Sequence, residues 1–170
     1  MTVEEIFNTL INHMKEGMEF HAELARAYDF IGLYGFNKCH EYHYLAETKG
    51  YESLLHYYST RYHKLINISE VPKHNLVPEV WYKYTTMAVD SATIRNSVKS
   101  MMEKWVDWEK ETKKLYQQMY KELYDLGEIA SAREIKCYID DVDDELKHAE
   151  KKLIKLLAID FDIVIITEWQ

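Results

Sequence analysis

Both prolines of this 170-residue chain, Pro72 and Pro78, fall in one stretch near its middle. Proline lacks a backbone donor and clashes with the preceding helical turn, so its absence elsewhere leaves long segments free to be helical. On either side of that stretch, apolar residues recur at alternating three- and four-residue steps over segments of about 30 residues. The order of elements is therefore helix, helix, crossover, helix, helix.

The first helix is expected over residues 3–33, on the seam Val3, Ile6, Leu10, Met14, Gly17, His21, Leu24, Tyr28 and Ile31, with Gly32 and Gly35 ending it. The second is expected over residues 37–66, on Tyr44, Glu47, Tyr51, Leu54 or Leu55, Tyr58, Tyr62 and Leu65. Gly50 in its middle costs about 1 kcal/mol against alanine, or permits a close contact. Residues 67–90 form the crossover, where Val80-Trp81-Tyr82 predicts a brief helix across the bundle. The third helix starts at Asp90 or Ser91, either of which can cap it, and ends at Gly127. Its seam includes Ile94, Val98, Met101, Trp105, Trp108, Thr112, Leu115, Met119 and Leu123. The fourth, residues 128–158, carries an unbroken apolar stripe of Ile135, Ile139, Val142, Leu146, Ala149, Leu153 and Leu156. Residues 1–158 thus read as one bundle. The tail, residues 159–170, is β-branched and reads as extended chain that the bundle or a partner subunit must cover.

Composition narrows the function classes. Apolar residues at 47% and charged residues at 29% describe a globular chain rather than a disordered one. A formal net charge of −8 argues against a general nucleic-acid surface or an acidic membrane surface as partner. Two cysteines, Cys39 and Cys137, make no disulfide framework and suit a reducing compartment. The acidic, amphipathic start does not read as a signal peptide, and no apolar run reaches membrane-spanning length. The expected location is cytoplasmic. The apolar tail and outward aromatics predict a homo-oligomer.

Length tests the topology. A helix of about 30 residues is about 45 Å long. The crossover can reach about 80 Å when extended, enough to return along the whole bundle. The third helix can therefore run parallel to the second. In this arrangement the chain resembles the ferritin-like superfamily over residues 3–158, an all-α fold of two antiparallel helical hairpins joined by a long crossover. The resemblance implies a dinuclear iron or manganese site inside the bundle. In that site a glutamate comes from each of two helices and a Glu-x-x-His from each of the other two.

Carried over residue by residue, Glu145-Leu-Lys-His148 looks like the Glu-x-x-His of the fourth helix. Glu109 stands where the lone glutamate of the third is expected. His21, seven residues before Tyr28, stands where a glutamate is expected, with Glu19 and Glu23 nearby. Helix two has no second Glu-x-x-His, and Glu47, Glu52, His56 and Thr60-Arg-Tyr-His63 are its nearest candidates. The resemblance thus implies His21, Glu47, Glu109, Glu145 and His148 as metal ligands. Hard carboxylate oxygens would bridge the ions and imidazoles would complete their coordination.

The residues alone also support a plainer reading. The stripe of helix four has no polar interruption, Glu145 only flanks it, and His148 falls on a face with Asp141, Asp144, Lys152 and Lys155. Glu109 lies between Lys104 and Lys113, possible surface partners. His21 and Glu47 read as a hydrogen-bonded core pair, with Arg61 as another partner for Glu47. The remaining histidines, His40 and His43 among them, read as scattered. The favoured expectation is a structural or interaction protein with a degenerate or absent di-metal site. The alternatives are a di-iron or di-manganese carboxylate protein, and a small-molecule pocket between aromatic seams.

Overall fold

The computed structural model describes residues 1–71, 74–77, 81 and 90–168. Helix α1 spans Val3–Phe30 and starts in a capping box, with Thr2 and Glu5 each accepting from the other's backbone N–H. It ends where Gly32 takes φ +74° and Leu33 N–H bonds back to the Tyr28 carbonyl at 2.9 Å. Helix α2, Tyr34–Tyr62, follows at once, so Gly35 lies in its first turn rather than in a linker. It stops at His63, in the left-handed region at φ 53°, four residues short of the expected end. Helix α3, Ser91–Asp125, is capped by Asp90, whose carboxylate accepts from Thr93 N–H at 2.9 Å. Gly127, at φ +77°, turns the chain into α4, Ile129–Ala158. The brief helix expected at Val80-Trp81-Tyr82 lies outside the described residues except for Trp81, which is buried.

The tail departs from expectation. Residues Ile163–Glu168 form a short helix, α5, not an extended chain. Asp162 accepts from Val164 N–H at 2.9 Å and so caps the turn. Phe161 and Ile166 are buried in the same core as α3 residues. A local cap and tertiary burial override β-propensity here.

Helices α1 and α2 form one antiparallel hairpin and α3 and α4 the other, joined chiefly through α1 and α3. The opposite side, α2 against α4, is the looser seam. The interior is two apolar clusters. One holds Phe20, Leu24, Tyr28, Met101, Trp105, Leu146 and Ala149. The other holds Phe7, Leu10, Met14, Leu54, Tyr58, Met119, Ile135 and Val142. Near the junction of the two clusters every long helix carries polar residues. They are His21 on α1, His40, His43 and Glu47 on α2, Glu109 and Thr112 on α3, and Glu145 on α4. The core is thus a sandwich with a polar layer in its middle.

One edge of that layer sets an acid response. His13 stacks on Trp108 with ring centroids 4.6 Å apart, and its Nε2 shares a hydrogen bond with Thr112 Oγ1 at 2.8 Å. Burial, aided by the neighbouring His74 charge, pushes the His13 pKa down to about 4. An unfolded imidazole titrates near 6.5, so on acidification the unfolded chain takes up this proton first. The contribution of His13 is therefore complete above pH about 6.5. It is lost as the pH falls toward 4, at up to about 1.4 kcal/mol per pH unit. His13→Gln is expected to flatten stability against pH in that window. Urea unfolding at several pH values reads this, and an unchanged slope would contradict it.

Candidate metal centre

His21 is fully buried, and its Nδ1 lies 3.0 Å from His40 Nδ1. One ring donates and the other accepts. In a neutral imidazole only one nitrogen carries a proton. The ring that donates through Nδ1 must therefore present a bare lone pair at Nε2. Both His21 Nε2 and His40 Nε2 are buried without a hydrogen-bond partner. Whichever tautomers form, one bare acceptor faces the protein interior. His21 Nε2 points at Glu109 Oε1 across 3.6 Å, too far for a hydrogen bond.

Glu109 is 1% exposed, so the expected surface pairing with Lys104 and Lys113 does not form. Lys104 donates to the Asn75 carbonyl instead, and Lys113 pairs with Asp143. Burial pushes the Glu109 pKa up to about 7. The Trp105 indole N–H, donating to its Oε1 at 2.8 Å, opposes that shift. Burial, with the charge of His43, drives His21 down to about 3, and burial with His21 drives His40 well below its usual range. The pair therefore stays uncharged at neutral pH.

His43, one turn after His40, stacks on His21 at 5.0 Å and approaches Glu145 Oε1 with Nδ1 at 3.1 Å. The contact is close but poorly aligned, and Nδ1 has no hydrogen bond of good geometry. Burial would lower the His43 pKa, but the Cys39 thiol and the Glu145 carboxylate overcome it and raise it to about 10. Trp105 covers this group, with its ring 4.6 Å from His40 and 5.3 Å from His43.

Glu47 meets the layer from α2. Its carboxyl lies against Gly17, where an added Cβ would stand 2.9 Å from Oε1. Burial, then the nearby Glu145 and Glu109, hold its pKa well above the usual range. The anticipated His21–Glu47 pair does not form, because His21 bonds His40. Arg61 pairs with Glu128 and not with Glu47. His148 sits at the rim, exposed, with Nε2 4.0 Å from the Cys39 thiol. Gly17→Ala is expected to push the flexible Glu47 carboxyl aside while leaving fold stability within about 1 kcal/mol, since alanine also favours helix. Thermal unfolding and a crystal structure of the variant check this. A stability loss above about 3 kcal/mol would show that Gly17 serves packing instead.

The layer thus gathers His21, Glu47, Glu109 and Glu145 and leaves His148 one turn outward. His40 and His43, expected as scattered histidines, belong to the layer as well. Their signal was His40-Glu-Tyr-His43, two imidazoles three residues apart on one helical face. Among the described residues no three His, Cys, Asp or Glu side chains are already placed as a set around one metal ion.

No family model matches the sequence, and no curated protein matches it. A solved structure of a humanized archaeal ferritin superposes with a TM-score of 0.81, covering 98% of this chain and 91% of that one. The fold is ferritin-like. Identity over that ferritin-like match is 17%, so the likeness establishes the fold alone. No helix among the described residues is long and apolar enough to cross a membrane.

Proposed function

We propose that this ferritin-like chain binds a transition-metal ion in its central polar layer, through imidazoles as much as carboxylates. The observation that carries this reading is the buried His21–His40 contact, which leaves one Nε2 of the pair bare in the core, with His21 Nε2 3.6 Å from the Glu109 carboxyl. A buried acceptor with no donor costs on the order of 1–3 kcal/mol, and a cation would remove that cost. His21, Glu109, His43 and Glu145 are the residues that would hold the ion, with Glu47 and His40 beside them. Mixed nitrogen and oxygen donors suit iron or manganese among other divalent ions. Such an ion would supply a Lewis-acid or redox centre.

The chain's own residues set the conditions. Binding must release the proton that burial holds on Glu109 and the one that Cys39 and Glu145 hold on His43, so affinity rises with pH. Trp105 fixes the Glu109 carboxyl and covers His40 and His43. A ligand that binds only the folded chain raises stability by about 4 kcal/mol at a thousand times its dissociation constant. Melting with Fe(II), Mn(II) and Co(II) is therefore expected to shift clearly upward, and indifference to all three would contradict the proposal.

A second reading is a structural bundle whose polar layer is only a satisfied core. It is favoured by the absence, among the described residues, of a ready three-ligand set. It predicts melting that ignores metals. Exposed Ile154, Leu157 and Val164 near the tail support self-association under either reading, which sedimentation would measure.

A further inference from the structure

Two openings reach Glu145 through the loose seam between α2 and α4. One is bordered by Cys39, His43, Glu145, His148 and Lys152, with Asp141 and Asp144 also on its rim. Its Lys152 ammonium lies 5.9 Å over the Trp105 ring, so a cation approaching there meets a like charge among the aspartates. The other is a cleft of about 80 Å³ at Gly50, with Asp141 at its mouth and Glu47 and Glu145 deeper in. Its lining contains no lysine, arginine or histidine. One water needs on the order of 10–15 Å³, so this cleft admits an ion with part of its hydration shell.

Gly50 keeps the cleft open. It lies one turn beyond Glu47 in the interior of α2. A Cβ there would already meet Tyr138 Cε1 at 3.4 Å and Met14 Sδ at 3.6 Å, so a longer side chain must occupy the cleft. The missing side chain costs the helix about 1 kcal/mol. A series of carboxylates running inward from an exposed one also focuses cations and raises their rate of encounter.

Resting on the metal-binding reading above, we infer that the Gly50 cleft is the entrance by which a divalent cation reaches the His/Glu layer. Asp141 collects the ion at the mouth, Glu145 and Glu47 pass it inward, and the glycine is the opening itself.

The test is stopped-flow association of Co(II) with the full chain, followed by the bound-cobalt spectrum, with final cobalt content measured by equilibrium dialysis. Asp141→Asn changes an exposed residue and leaves the core intact. It is expected to slow association about tenfold at low ionic strength, with the difference fading in salt. Gly50→Leu is expected to slow it further. Both should reach the wild-type cobalt content. Wild-type rates in both variants would overturn the entrance while leaving the metal-binding reading standing. A lower final content in Asp141→Asn, at an unchanged rate, would make Asp141 a ligand and also overturn it. No cobalt bound to the wild-type chain would remove the metal-binding reading itself, and the entrance with it.

Discussion

Trp105→Ala is expected to destabilise the chain by about 3–5 kcal/mol, the range for truncating a buried tryptophan. Trp105 is fully buried in the cluster that closes one side of the polar layer. Removing its ring leaves a cavity between His40 and His43, which it contacts edge-on. It also removes the indole N–H that donates to Glu109. The carboxyl then keeps its burial cost and loses its donor, so transfer, cavity and hydrogen-bond losses act in the same direction. For a chain of this size the melting temperature should fall by roughly 10–15 °C. Urea unfolding measures the loss directly. A cost below about 1.5 kcal/mol would mean that the layer does not depend on this ring.

Glu109→Ala is expected to abolish retention of metal with a much smaller effect on the metal-free fold. Two effects offset each other in the free chain. The variant removes a desolvated carboxyl, which helps, and leaves the Trp105 N–H without an acceptor, which hurts. Glu109→Gln keeps an acceptor for Trp105 at nearly the same volume, so it should be at least as stable as the parent. It should still bind metal poorly, because a neutral amide is a weak ligand for a hard cation. Metal bound at the wild-type level in both variants would place the ion elsewhere. A large loss of stability in Glu109→Gln would mean that the carboxyl is structural.

The sequence reading and the structure part company where the site begins. Helices α1, α3 and α4 were legible because their inward faces are mostly apolar, so the 3.6-residue period stands out. Helix α2 was legible as a helix, but its inward face was misread. Tyr44, expected on the seam, is 36% exposed, whereas Asn37, His40 and His43 are buried. Polar inward residues erase the hydrophobic period at the very place where a site is built. Leu65, expected in the same seam, is 90% exposed, since the helix has already ended at His63. Glu109 was recovered as a candidate through the family resemblance, while its flanking lysines suggested a surface role. Helical position alone cannot distinguish a residue beside the seam from one facing a third helix. The tail's short helix depends on burial of Phe161 and Ile166 by residues far away in sequence, which no local propensity encodes.

The central claim is that the polar layer holds a metal ion, and metal content per chain tests it most directly. The protein would be loaded anaerobically with Fe(II) or Mn(II), desalted, and measured by elemental mass spectrometry beside Glu109→Ala. About one or two ions per chain in the parent, and essentially none in the variant, is the predicted result. A parent that keeps neither metal would contradict the claim and leave the layer as a hydrogen-bonded core.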